Sequence, residues 1–204
     1  MLITDAKYTK AKRIALYLDE EFAVSLEEIV WVGSGLKIKD TITGERLNEL
    51  SEESNFIRAK QRAFNMLSQR GYTKARMKQK LAEKASPMAA EKATERMEEL
   101  GLINDHDYGL EYASYLFSVK HFGKRRIKQC LMERGIASSL ADELMEEFSF
   151  EGDDDFLRAM AVAKKKYPNC SDEKQVKRLY AGLSRYGYSY EIIKRVLEEL
   201  KCEG

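Results

Sequence analysis

Hydrophobic positions fall into two periods along this chain. Between residues 13 and 26 they alternate: Ile14, Leu16 and Leu18 share one face, and Phe22, Val24 and Leu26 follow beyond the polar pair Asp19-Glu20. Successive strand side chains point to opposite faces, so period two on both sides of a short polar turn predicts a β-hairpin. Ser25 and Glu28 have capping-box spacing and predict a short helix through Ile29, Val30 and Trp31, stopped at Gly33 and Gly35. A short extended piece is expected over 37–43, and a short helix over 46–50. From Asn55 the period lengthens to three or four, with Phe56, Ala59, Ala63 and Leu67 in step, and the remainder reads as helix.

The helical part repeats itself. Met97-Glu98-Glu99-Leu100 returns as Met145-Glu146-Glu147-Phe148 and again as Leu197-Glu198-Glu199-Leu200, at spacings of 48 and 52 residues. Ahead of each copy an Arg leads two apolar residues four apart: Arg76-Met77 with Leu81, Arg126-Ile127 with Leu131, and Arg178-Leu179 with Leu183. Two markers moving at one period imply a repeated supersecondary unit. The expected fold is mainly α: three tandem three-helix repeats in an elongated, curved array, preceded by a small subdomain containing the β-hairpin. Expected boundaries are 1–54 for the subdomain and 55–104, 105–152 and 153–204 for the repeats. Helices are placed near 55–69, 73–84 and 88–100, then 106–119, 123–134 and 138–148, then 154–166, 172–186 and 189–201. Asp105 and Asp154 suit N-caps, and Pro87 and Pro168 stand where helices begin or end. Gly135 and Gly187 occupy equivalent positions after helices, where a left-handed residue is wanted.

Composition narrows the class. Charged residues make up 34% of the 204 and hydrophobic ones 44%, which suits amphipathic helices with solvated faces. No apolar run approaches the roughly 20 residues that span a bilayer, nor is there a secretory apolar core, so a soluble cytoplasmic protein is expected. Cys130, Cys170 and Cys202 are not spaced as metal or disulfide pairs and read as reduced thiols. His106 and His121 lack ligand spacing and read as surface or cap residues, and no metal or cofactor is expected. Asp153-Asp154-Asp155 reads as linker and cap, because three adjacent carboxylates at a helix start cannot all face one ion. Phosphate-binding loops, dinucleotide fingerprints and nucleophile motifs are missing from the sequence, which argues against an enzyme.

A net charge of +1 hides a segregation that repeats. The first two helices of each unit are basic, and the third are acidic, with Glu98-Glu99, Glu146-Glu147 and Glu198-Glu199 near their C-termini. Negative charge there opposes the helix dipole, and a neighbouring repeat's basic helix can compensate it. On the middle repeat, Ile127 and Leu131 define the buried stripe, which turns Arg125 outward and Lys128 onto the flank. Candidate binding residues on the second helices are therefore Arg76, Lys78, Lys124, Arg125, Arg126, Lys128, Lys177 and Arg178. Tyrosines such as Tyr108, Tyr112 and Tyr115 accompany them; at helical spacing such residues serve as core, or as stacking surfaces for single-stranded nucleic acid.

The stretch from Glu99 to Ile136 resembles the RecX family of RecA regulators. The resemblance rests on Gly101-Leu102-Ile103-Asn104-Asp105, Tyr108 and Tyr112, and Gly123-Lys124-Arg125-Arg126-Ile127 through Leu131 to Gly135-Ile136. Gly71-Tyr72 with Arg76 to Leu81, and Tyr17-Leu18-Asp19-Glu20-Glu21-Phe22, look similar too. Glu20 departs from the pattern where a turn glycine is commoner, as does Ala85-Ser86-Pro87 where a glycine and an aromatic are usual. The resemblance implies a monomeric regulator that binds the RecA filament on DNA, mainly single-stranded, and inhibits recombinase, ATPase and coprotease activity in DNA repair and the SOS response. The alternative is a helical-repeat protein that binds DNA independently of RecA. An enzyme such as a nuclease would need a convergent carboxylate or histidine site that the sequence does not offer.

Overall fold

The computed structural model describes residues 1–148, 155–167 and 172–202. Asp153, the expected cap Asp154, Pro168 and Cys170 lie outside these residues, as does the side chain of Cys202. The chain divides into two compact units, Met1–Asn104 and Asp105–Gly204.

The first unit opens with an antiparallel meander of β1 (Ile3–Tyr8), β2 (Arg13–Leu18) and β3 (Glu21–Glu27). The hairpin expected over 13–26 is β2 and β3, with Leu16 facing Val24 and Ile14 facing Leu26. Asp19 and Glu20, both at positive φ (50° and 71°), make its two-residue turn, as the right-handed twist of the strands requires. β1 is an addition to the sequence reading. A short helix α1 (Glu28–Gly33) follows, but the capping box is absent: Ser25 lies within β3, and Glu28 instead accepts the Tyr8 hydroxyl at 2.5 Å. The extended piece near 37–43 reduces to one bridge, Leu2 to Thr41.

The two helices expected at 46–50 and from 55 are a single helix, α2 (Gly44–Leu67), capped by the Thr43 hydroxyl accepting from Arg46 N at 3.2 Å. Its first half closes a core with Ile3, Leu16, Leu26 and Val30 through Leu50. Its second half carries Ala59 and Ala63 into the first repeat, beside α3 (Lys74–Ala82) and α4 (Pro87–Glu99). Ser86 caps α4, accepting from Ala89 N at 3.1 Å with Pro87 in the first turn, so the unusual Ala85-Ser86-Pro87 serves as a helix start.

The second unit holds α5 (Asp105–Ser118), α6 (Lys124–Glu133) and α7 (Ser138–Glu147), then α8 (Asp155–Lys166), α9 (Glu173–Arg185) and α10 (Tyr190–Cys202). Asp105 is the first helical residue of α5 rather than the residue before it, and it still complements the dipole. Each repeat has its own core, and the Arg-led marker supplies the centre of all three. Met77 and Leu81, Ile127 and Leu131, and Leu179 and Leu183 are fully buried. Burying such a side chain stabilises by about 1.5–3 kcal/mol, so the repeated pair is the main local determinant of each core.

In the first two repeats, acids of the third helix pair with lysines of the second helix in the same repeat. Lys74 meets Glu98 at 2.5 Å, Lys78 pairs with Glu91, and Lys128 pairs with Asp142. The last two pairs are the same bridge, second helix to third, in successive repeats. Where Lys78 and Lys128 stand in the first two repeats, the third has Tyr180, whose ring meets Tyr190 edge-on at 6.3 Å.

Candidate functional site

Repeats two and three meet through backbone. Gly123, just before α6, donates its N–H to Tyr186 O at 2.8 Å, and Gly187, just after α9, lies against the first turn of α6. A Cβ on Gly187 would stand 2.5 Å from Arg126 N, and one on Gly123 would stand 2.6 Å from Gly187 O. Gly187 also has φ +92°, where it ends α9 with Gly187 N–H on Ser184 O (3.0 Å) and Tyr188 N–H on Leu183 O (3.2 Å). Thus one glycine serves both as helix stop and as docking point. Tyr188 donates to His121 O at 2.8 Å, and the Phe122 ring meets Tyr186 edge-on at 5.3 Å. Arg158 of α8 reaches Phe122 O at 2.5 Å, with its guanidinium 3.7 Å from the Phe117 ring centre.

This junction leaves a cleft of about 790 Å³ whose charged lining, among the described residues, is basic: Arg125 and Arg126 from α6, Lys166 from the end of α8, and Arg185 from the end of α9. Phe122, Tyr167 and Tyr186 supply its aromatic walls. The Tyr186 hydroxyl bonds the Lys166 ammonium, which holds the lysine pKa above its ordinary value. Arg126 is 3.0 Å from Glu133 at the far end of α6 and its guanidinium lies over Phe122. Arg125 makes no ion pair with any described residue. Four cations in a concave site focus a positive potential, and planar guanidiniums beside aromatic rings suit a phosphate-bearing or otherwise anionic partner.

The predicted residues are distributed unevenly. Arg125 and Arg126 enter the cleft, with Lys124 exposed one residue before them. Lys177 and Arg178 line a second hollow along α9, together with Lys174 and Arg185, although Lys177 is also 2.5 Å from Glu173. Lys128 lies on the flank, engaged by Asp142. Arg76 and Lys78 belong to the first unit, where Arg76 bonds Gln79 at 3.1 Å and Lys78 is held by Glu91. Lys166 and Arg185 were not among the predicted residues, because each ends its own helix and the docking of the third repeat on the second brings them beside Arg125. Arg185 occupies the repeat position of Glu133, so it alters charge locally and breaks the repeat pattern. Elsewhere in the second repeat, Tyr108, Tyr112 and Tyr115 form a ladder on α5 with centroids 6.0 and 6.4 Å apart, and Arg134 lies 4.7 Å over the Tyr112 ring. No group of three or more histidine, cysteine, aspartate or glutamate side chains among the described residues is placed to hold a metal. No described helix is long and apolar enough to cross a membrane.

Fold and site together define a tandem three-helix-repeat protein with a concave basic surface. Family models for the second and third three-helix domains of RecX match residues 104–145 and 153–197. A regulatory protein RecX of Clostridioides difficile is 30% identical over 193 residues, which cover 92% of this chain and 89% of that protein. Its counterpart in Clostridium acetobutylicum is 29% identical over 208 residues, 98% of this chain and 95% of the other. A crystal structure of regulatory protein RecX superposes with a TM-score of 0.66 at 22% identity, covering 97% of this chain and 98% of that one. That of RecX from Lactobacillus salivarius gives 0.59 at 21% identity, covering 72% and 97%. The chain belongs to the RecX family.

Proposed function

We propose that this protein binds RecA filaments on DNA and restrains the recombinase by occupying the filament. The observation that carries the reading is the basic cleft, where Arg125, Arg126, Lys166 and Arg185 converge from three helices and no described acid lines the wall. A filament of protein on single-stranded DNA presents a regular array of phosphates, and a repeat protein can engage successive positions of such an array. Weak contacts then combine through effective concentration. Inhibition by occupancy needs surface complementarity and no reacting group, in keeping with relatives named as regulatory proteins.

The experiment titrates purified protein into RecA-coated single-stranded DNA while following ATP hydrolysis and strand exchange, with bare DNA as the control. Tighter binding to the filament than to bare DNA, with falling ATPase and strand exchange, is the expected result. Equal affinity for both with unchanged RecA activity would favour a DNA-binding protein that acts independently of RecA. Hydrolysis of nucleotide or DNA by the protein alone would place it among enzymes.

A further inference from the structure

The first unit carries a groove of the opposite charge. On α2, Glu45, Glu49, Glu52, Glu53 and Phe56 recur at three- and four-residue spacing and so form one stripe along the helix. The N-terminal turns of α4 make the other wall, with Met88 half exposed and Lys92 beyond it. Phe56 and Met88 give the groove an apolar floor, and its rim sets four carboxylates, of which Glu49 pairs with Arg46 at 2.8 Å, against the ammonium of Lys92. The groove is also built rather than incidental: the Ser86 hydroxyl that caps α4 donates to Glu52 at 2.6 Å and ties the two walls together.

We propose that this acidic, apolar-floored groove between α2 and α4 docks a basic segment of the RecA protomer, one carrying lysine or arginine around a single large apolar side chain. The inference rests on the filament reading above and adds the protein-facing contact to it. A nucleoprotein filament offers two kinds of surface, a polyanion and the protein coating it. Four carboxylates repel phosphate, so this groove is unsuited to the DNA and complementary to a cationic stretch of protein. An apolar anchor is wanted because Met88, long and unbranched, adapts to the shape of a partner side chain. Helix-in-groove docking, with an anchor in the floor and charges along the rim, is a common mode for such a segment.

The test uses the full chain and RecA filaments assembled on single-stranded DNA. Glu45→Lys with Glu53→Lys reverses two rim charges and spares Glu52, whose contact with Ser86 supports the fold. The double variant should keep the wild-type circular dichroism, bind filaments about tenfold or more weakly, and bind bare DNA as well as or better than wild type. A photo-crosslinking residue at position 88 should form its adduct with RecA. Unchanged filament affinity of the double variant, or an adduct to DNA or to a second copy of this chain, would overturn the proposal while leaving filament binding intact. Failure of the wild-type chain itself to bind filaments would remove the reading on which both rest.

Discussion

Single residues hold three features in place. Glu20 has φ 71° in the β2–β3 turn, a left-handed conformation that costs an ordinary L-residue about 1–2 kcal/mol. Glycine avoids that cost and loses about 0.5–1 kcal/mol in unfolded-state entropy, so Glu20→Gly should raise stability by about 0.5 kcal/mol in chemical denaturation. A fall in stability would show that the Glu20 side chain contributes to the turn. At Gly187 the reasoning reverses, because alanine would meet Arg126 N at 2.5 Å in an already left-handed backbone. Gly187→Ala should destabilise by about 1–3 kcal/mol, with the effect seen in the second unit's transition. The His106 ring is 2.6 Å from Glu147 and 3.5 Å from Asp107, and these acids raise its pKa above the ordinary 6.5. The α5–α7 contact is therefore fully favoured below pH 6.5 and fades as pH rises through the raised folded value. NMR titration should find His106 above the ordinary imidazole value and Glu147→Gln should lower it; titration at or below that value would contradict the pairing.

At the scale of elements, helices with a clear apolar stripe were legible and elements defined by distant contacts were not. The second helices were readable because Met77 and Leu81, or Ile127 and Leu131, sit four apart between charged neighbours. β1 lacked a signal because Thr4, Asp5 and Lys7 give it little apolar alternation, and its pairing with β2 holds it. The middle of α2 reads as a break, Ser51-Glu52-Glu53-Ser54-Asn55, yet Ser54 is buried and accepts from Glu27 N at 2.8 Å, a tertiary contact with no local signature. The candidate site divides the same way: Arg125 and Arg126 follow from the stripe of α6, whereas Lys166 and Arg185 join them only through the docking of two repeats. Ile127→Asp should unfold the second repeat, since it buries an unpaired charge in a fully enclosed position; the cost should exceed about 4 kcal/mol. Retained helicity and protease resistance in that variant would contradict the assigned core.

Across the whole molecule, segregation of charge matters more than its sum of +1. Basic residues converge in the second unit, and an acid-rimmed groove occupies the first, so a chain of nearly zero net charge has two chemically distinct surfaces. Each surface arises from a small departure inside a repeated plan. Arg185 replaces an acid at the end of α9, and the long α2 extends its glutamate stripe past the packing of one repeat. This is how tandem repeats acquire function: the cores stay alike and the exposed positions diverge.

The most direct test of filament binding through the cleft is the salt dependence of binding by Arg125→Glu with Arg185→Glu. Both positions are exposed and neither residue forms the close contact between Gly187 and Arg126, so the fold should survive. Affinity for RecA filaments should fall about tenfold or more, and the slope of log affinity against log salt should become shallower by about 0.7 for each phosphate that the variant no longer neutralises. Wild-type affinity with an unchanged slope would contradict the account.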